Sequence, residues 1–235
     1  MAFSSETLRF LRALARRNEK PWFEAHRDDY EQHVRAPMRE LVEEMDVRLA
    51  RFAPEIVGDP RRSIFRINRD IRFSRDKSPY KTHIGAWFYH RDATRKVGQD
   101  GEGGSAGFYV QIAPGDSFTG GGIWMPPRAA LARIRDAIAE KPRAFARIAD
   151  HPALRRRLGG LTREDALKRT PRGYAPDHPA ATWLRLQSFT AGRTLSDTEA
   201  LSPRLVTLLE RQFHLLLPLV RWLNGTLGLR PASRR

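Results

Sequence analysis

Between residues 65 and 83 the chain reads Phe65-Arg66-Ile67-Asn68-Arg69-Asp70-Ile71-Arg72-Phe73-Ser74-Arg75-Asp76-Lys77-Ser78-Pro79-Tyr80-Lys81-Thr82-His83. Cations, two carboxylates and small hydroxyl donors sit there among apolar anchors. Arg66, Arg69 and Arg72 recur at a spacing of three, followed by Arg75, Lys77 and Lys81. The planar fork of a guanidinium meets two oxygens at once, so arginines at this density suit phosphate or carboxylate. In a strand that runs into a loop they cannot share one face, so they surround the segment. Asp70 and Asp76 lie within reach of these cations. They can orient them around a small anionic or phosphorylated ligand, act as a base on it, or close an internal salt-bridge network that fixes the loop before Pro79. Ser74, Ser78 and Thr82 read as caps and turn residues, and no Ser–His–Asp arrangement emerges from spacing.

A second basic run, Lys168, Arg169, Arg172 and Tyr174 with Asp177-His178, is the other candidate. It can close over an anion bound at the first stretch. The reading that ranks ahead of this is a solvated loop in which Asp177 or His178 caps a nearby turn. The ligand set expected from the sequence is therefore Arg66, Arg69, Asp70, Arg72, Asp76, Lys77, Tyr80 and Lys81, with Lys168, Arg172 and His178 closing the site. His83, His90, His151, His178 and His214 show neither HxH nor HExxH spacing, so no metal and no cofactor are expected. Gly120-Gly121-Gly122 lacks the strand-to-helix context and the Lys of a phosphate loop; close backbone approach or a bulge accounts for it as well.

The net charge of +15 raises nucleic acid as a partner, with Phe73, Tyr80 and Trp87 as stacking residues. Residues 61–96 hold 11 basic against 3 acidic side chains, and residues 151–235 hold 15 against 6, so the charge sits in two blocks. Only 6 of the 42 basic residues are lysine, a bias toward arginine that accounts for much of the total without any ligand. The carboxylates interleaved in the first block would repel a phosphate backbone, which ranks nucleic acid behind a small anion. A scaffold whose charges pair internally is the third reading. With no cysteine, disulfides and thiolate metal sites are excluded. No apolar run reaches membrane-spanning length, and Met1-Ala2-Phe3-Ser4-Ser5-Glu6 is no export signal, so a cytoplasmic protein without membrane contact is expected.

The elements that position these residues follow from periodicity. Ser4 to Arg17 predicts a helix capped by Ser4 or Ser5, with Leu8, Leu11, Leu14 and Ala15 at helical spacing, ended by Asn18-Glu19-Lys20-Pro21. A second helix runs from Trp22 to about Val34, Trp22 lining the core or a pocket, and a third starts at Pro37 with Met38, Leu41, Val42, Met45 and Leu49 as its stripe. Ser63–Ile67, Thr82–His90, Gly107–Ala113 and Phe118–Trp124 read as strands, and Leu186–Ala191 as an edge strand. Residues 91–106 read as a glycine-rich connection, and 151–179 as a polar, turn-rich stretch. Helices follow Pro126-Pro127 and span about Arg143 to Ala149. A helical turn falls at Thr182–Leu186. A long helix from Ser202 to about Leu227 is kinked at Pro218. Helices, then strands, then helices predict one α+β domain: an antiparallel sheet of about four to five strands, with N-terminal helices and a long C-terminal helix packed on it. Its parts are a helical front over 4–51, a sheet-rich centre over 63–124, and a helical and basic-loop back over 127–228.

Three motifs in order carry a family resemblance. They are F-R-x-x-R-D-x-R-F-S-x-D-K-x-P-Y-K-x-x from Phe65 to His83, G-F-Y-V-Q-I-x-P-G-x-S-F-x-G-G-G-x-W from Gly107 to Trp124, and L-K-R-x-P-R-G-Y-x-x-D-H-P from Leu167 to Pro179. Together they resemble domain-of-unknown-function family 2461 over roughly residues 5 to 228. The resemblance implies an uncharacterised α+β domain, mainly bacterial and fungal, and brings no activity, substrate or catalytic residue.

Overall fold

The alternating centre of the chain folds as a five-stranded antiparallel sheet in sequential order: β1 (Ile56–Val57), β2 (Ile84–His90), β3 (Gly107–Ile112), β4 (Ser117–Ile123) and β5 (Phe189–Leu195). The computed structural model describes residues 3–72, 76–93 and 104–231. Phe73, Ser74 and Arg75, most of the glycine-rich connection, and the end of the tail therefore lie outside the described residues. β3 and β4 are joined through Pro114-Gly115-Asp116, where Gly115 takes a φ of 71° that a turn asks of glycine. Trp87 lies opposite Tyr109, and Tyr109 opposite Gly120. β5 runs further than its sequence pattern, because Thr190, Gly192 and Thr194 face away from the core and blur the alternation.

Ser63–Ile67, expected as a regular strand, instead forms an irregular ladder along β2. Trp87 N–H donates to the Ser63 carbonyl and Phe65 N–H to the Gly85 carbonyl, each at 3.0 Å. The regular strand at that edge is β1, whose two residues are too few to show a period.

The front of the chain is α1 (Ser5–Arg16), α2 (Lys20–Ala25), α3 (Arg27–Tyr30), a π-helical turn (Glu31–Arg35) and α4 (Ala36–Phe52). Phe10, not Ala15, completes the buried stripe of α1. A helix boundary was expected at Pro37, yet the backbone stays helical from α3 into α4. The cause is Pro37 itself. It has no N–H for the His33 carbonyl four residues back, and its ring would clash there. The π turn, closed by Ala36 N–H on the Glu31 carbonyl, widens the helix at this point. Thr7 Oγ1 then supplies the missing donor to the His33 carbonyl at 2.6 Å.

The back comprises α5 (Arg128–Glu140), α6 (Pro142–Ala149), α7 (Pro152–Leu158), α8 (Ala181–Leu184), α9 (Asp197–Ala200) and α10 (Leu205–Thr226). α7 falls in the stretch read as turns, since it buries only Leu154 and Leu158. α10 runs unbroken across Pro218 and covers one face of the sheet. Phe213 stacks on Phe108 with centroids 4.4 Å apart, and meets Phe88 edge-on at 5.6 Å. A Cβ on Gly121 would stand 3.3 Å from Leu216, so the glycine run lets α10 and the neighbouring strands approach closely. Arg221 Nε reaches the buried Glu55 at 2.7 Å and ties α10 to the chain just before β1. The opposite face of the sheet presents Phe65, Trp87, Tyr109, Gln111 and Phe118, all partly exposed. Among the described residues no helix is long and apolar enough to cross a membrane.

Candidate anion-binding site

The stretch from Ser63 to Trp87 is a hairpin that doubles back on itself and continues the edge of the sheet past β2. Ile64 bridges Ala86 and Asn68 bridges Tyr80. Three residues separate these pairs on one side and five on the other, so the returning strand carries a two-residue bulge that holds Thr82 and His83 off the ladder. Arg69 N–H donates to the Pro79 carbonyl and Lys81 N–H to the Ile67 carbonyl, both at 2.8 Å.

The hairpin is anchored from below. Tyr80 is buried with its ring stacked on Phe23 of α2, centroids 4.2 Å apart. Asn18, in the turn between α1 and α2, accepts the Tyr80 N–H and donates to the Tyr80 carbonyl, both at 2.9 Å. Tyr80 thus belongs to the core, which takes it away from any ligand surface. Asn18, which marks only a helix end in the sequence, is the residue that fixes the hairpin base. No local pattern could have revealed it, because its partner lies 62 positions on.

At the tip the two carboxylates are taken up internally. Asp70 receives both Nε and Nη2 of Arg72, at 3.0 and 2.7 Å, and these bonds hold its pKa down at about 2. Asp76 accepts the Ser78 hydroxyl and N–H and pairs with Arg69; the serine contacts are the first cause of its lowered pKa. Lys77 Nζ donates to the Ile71 carbonyl at 2.9 Å and closes the loop. These groups are largely solvent-exposed, so each pair contributes little stability and serves to order the loop. A carboxyl held this low is a poor general base near neutral pH, where catalysis wants a pKa close to the working value.

At the base the balance is different. Lys81 Nζ donates to the Arg66 carbonyl at 3.1 Å and lies 5.4 Å from the Phe65 ring centroid, within cation–π range. Burial pushes its pKa down, and the charges of Arg66 and Arg69 push it further. His83 is likewise lowered by burial and then by Lys81 and Arg69, against a smaller opposing pull from Asp116. Neither Arg66 nor Lys81 forms an ion pair among the described residues. The base is therefore a cation cluster of Arg66, Arg69, Lys81 and His83 in which, among the described residues, Arg69 alone forms a salt bridge, with Asp76.

Lys168, Arg172 and His178 are not brought to this cluster. Asp165 and Gln187 join the 160s segment to the start of β5, and Leu167 N–H donates to the Arg185 carbonyl at 2.8 Å. β5 is the far edge of the sheet, four strand spacings or about 19 Å from the ladder of Ser63–Ile67. The hairpin also projects beyond the Ile84 end of β2, while Leu167 adjoins the opposite end, where Phe189 pairs with Ile123. The two basic segments thus occupy diagonal corners. Lys168 and Arg172 are exposed, and His178 Nδ1 accepts the Ala180 N–H at 3.0 Å as a cap before α8. A separate cleft of about 740 Å³ opens between α1 and the α2–π segment, lined by Phe10, Arg16, Arg17, Trp22, His26 and His33. No described hairpin residue lines it. Among the described residues no three His, Cys, Asp or Glu side chains come together as metal ligands would.

The model of the family described as "Conserved hypothetical protein (DUF2461)" matches residues 6–222. The chain belongs to that family. The match spans the hairpin, the sheet and most of α10, so the family unit contains both the cation cluster and its Asn18 anchor. No curated protein and no solved structure matches the chain.

Proposed function

We propose that the hairpin base binds a small anionic or phosphorylated ligand. One observation supports this above the others. Lys81, half-buried, has a main-chain carbonyl and an aromatic face for partners but, among the described residues, no carboxylate in a salt bridge, while Arg66 and Arg69 crowd it with like charge. An anion placed among them would relieve that repulsion and favour the charged form of the lysine. Asp70 and Asp76 play the orienting role, holding Arg72 and Arg69, and the reading is one of binding rather than of base catalysis by either carboxylate. The lack of cysteine fits a reducing, cytoplasmic setting for such a protein.

A thermal-shift screen with inorganic phosphate, sugar phosphates and nucleotides tests the reading. A ligand present at about 100 times its Kd adds about 2.7 kcal/mol of stability. For a chain of this size that is a rise in Tm of about 5–10 °C. The rise should vanish in Arg66→Gln/Lys81→Gln. A rise retained in that variant, or none with any of these anions, would overturn the proposal.

A further inference from the structure

The face of the sheet turned away from α10 carries a row of rings that lie across glycines of the adjacent strands. Trp87 on β2 covers Gly107 on β3: a Cβ there would stand 3.1 Å from Trp87 Cε2. Tyr109 on β3 covers Gly85 on β2, where a Cβ would come within 2.7 Å of its hydroxyl and 3.1 Å of its ring. Phe118 on β4 covers Gly120 and, on β5, Gly192, whose Cβ would fall 2.3 Å from its ring. A side chain at any of these glycines would lift its ring off the sheet. Without one, the rings settle onto the backbone, and all three stay partly exposed. The row continues to the cation cluster: Phe118 to Tyr109 is 6.4 Å, Tyr109 to Phe65 is 6.0 Å, and Lys81 Nζ is 5.4 Å from Phe65. At the other end of β2, Arg62 lies 5.1 Å from the Tyr89 ring. The Asp116 carboxylate, in the turn that follows β3, lies close enough to act on the Tyr109 hydroxyl.

Resting on the anion-site reading above, we infer that the ligand carries a nucleobase as well as a phosphate: the base stacks on the Trp87–Tyr109–Phe118 face while Arg66 and Lys81 take the phosphate. Aromatic rings accept any base on their faces, and cations beside them follow the phosphates; together these are the two components of sequence-tolerant nucleotide and single-strand binding. Of the stacking residues expected from the sequence, Phe73, Tyr80 and Trp87, one lies on this face. Trp87 stays, Tyr80 leaves for the core, and Phe73 lies outside the described residues. A free mononucleotide and a single-stranded oligonucleotide share this chemistry, and the test separates them.

The full chain is titrated with AMP, ribose 5-phosphate, inorganic phosphate and a fluorescein-labelled oligothymidylate, at about 50 and about 200 mM salt. The base should tighten binding by about tenfold or more, so AMP should bind at least that much better than ribose 5-phosphate. Phe118→Leu keeps apolar volume on Gly120 and Gly192 and should erase the difference without weakening ribose 5-phosphate. Oligothymidylate that binds well above AMP, and loosens steeply between the two salt concentrations, identifies a single strand as the source; AMP at parity with it identifies the free nucleotide. Equal binding of AMP and ribose 5-phosphate by the unaltered protein overturns this inference and leaves the anion site standing. Binding of none of the four overturns both. The comparison within the unaltered protein needs no variant to fold.

Discussion

Asn18→Ala should loosen the hairpin from the helical front. Asn18 is half-buried and makes two hydrogen bonds of 2.9 Å to the main chain of Tyr80, which is itself only 4% exposed. Each neutral hydrogen bond is worth about 1 kcal/mol net, and a buried group left without a partner costs more. Water can reach part of this site, so the two together come to about 2 kcal/mol. For a chain of this length that lowers Tm by about 4–8 °C. Asn18→Asp should be worse than alanine, because the carboxylate still accepts the Tyr80 N–H but sets two oxygens against each other at the Tyr80 carbonyl. Urea unfolding measures the global cost. Hydrogen exchange at the Arg69 and Lys81 amides, which pair across the hairpin, measures the local one and should accelerate more than exchange in β3. Asn18→Ala within about 0.5 kcal/mol of the unaltered protein, or Asn18→Asp equal to it, would refute the anchoring role.

Three further outcomes are expected. Gly122→Ala should cost at least about 2 kcal/mol in urea unfolding, since Gly122 has a φ of 126° and a Cβ would fall 2.0 Å from the Phe189 carbonyl. Gly115→Ala, with a φ of 71° but no atom within 4 Å of its Cβ, should cost only about 1 kcal/mol; equal costs would contradict the packing account. Arg221→Met should cost about 3 kcal/mol by removing the guanidinium that pairs with the Glu55 carboxylate at 1% exposure, and adding Glu55→Gln should recover part of it. The pKa of His83 is lowered in the folded protein by burial, Lys81 and Arg69, so the unfolded chain binds more protons once pH falls below the ordinary histidine value of about 6.5. The stability this histidine allows is present above that value and lost as pH falls toward the folded pKa. Unfolding midpoints of the protein and His83→Gln should therefore converge below about pH 6.5, and a constant difference between them would count against the placement of His83.

Much of the frame is legible in the residues. Period-two alternation marks β2, whose Ile84, Ala86 and Phe88 lie in the core while Trp87 on the other face is partly exposed, and the leucine and phenylalanine stripe marks α10 because it buries one side. Short or mixed elements escape: β1 has no room for a period, α7 has two buried leucines, and the outward threonines and glycine of β5 interrupt its pattern. The π turn has a sequence cause, Pro37, but its resolution depends on Thr7 from another helix. At the site, local charge pairing is legible, since Asp70 and Arg72 are two positions apart. Long-range pairing is not: Asn18 to Tyr80, and the rings laid on glycines of other strands, depend on a register that composition does not encode. The same limit explains why Lys168, Arg172 and His178 look like neighbours of the hairpin in charge and are its diagonal opposites in space.

Among the described residues Arg66 and Lys81 at the hairpin base form no ion pair, and the proposed anion belongs beside them. The most direct measurement is an NMR titration of the Lys81 side chain, its resonance assigned by comparison with Lys81→Arg, in the absence and presence of saturating phosphate. Without phosphate the pKa should lie below the ordinary lysine value, and phosphate should raise it while the other lysines stay where they are. A Lys81 pKa that starts at the ordinary value, or does not respond to phosphate, would contradict the account.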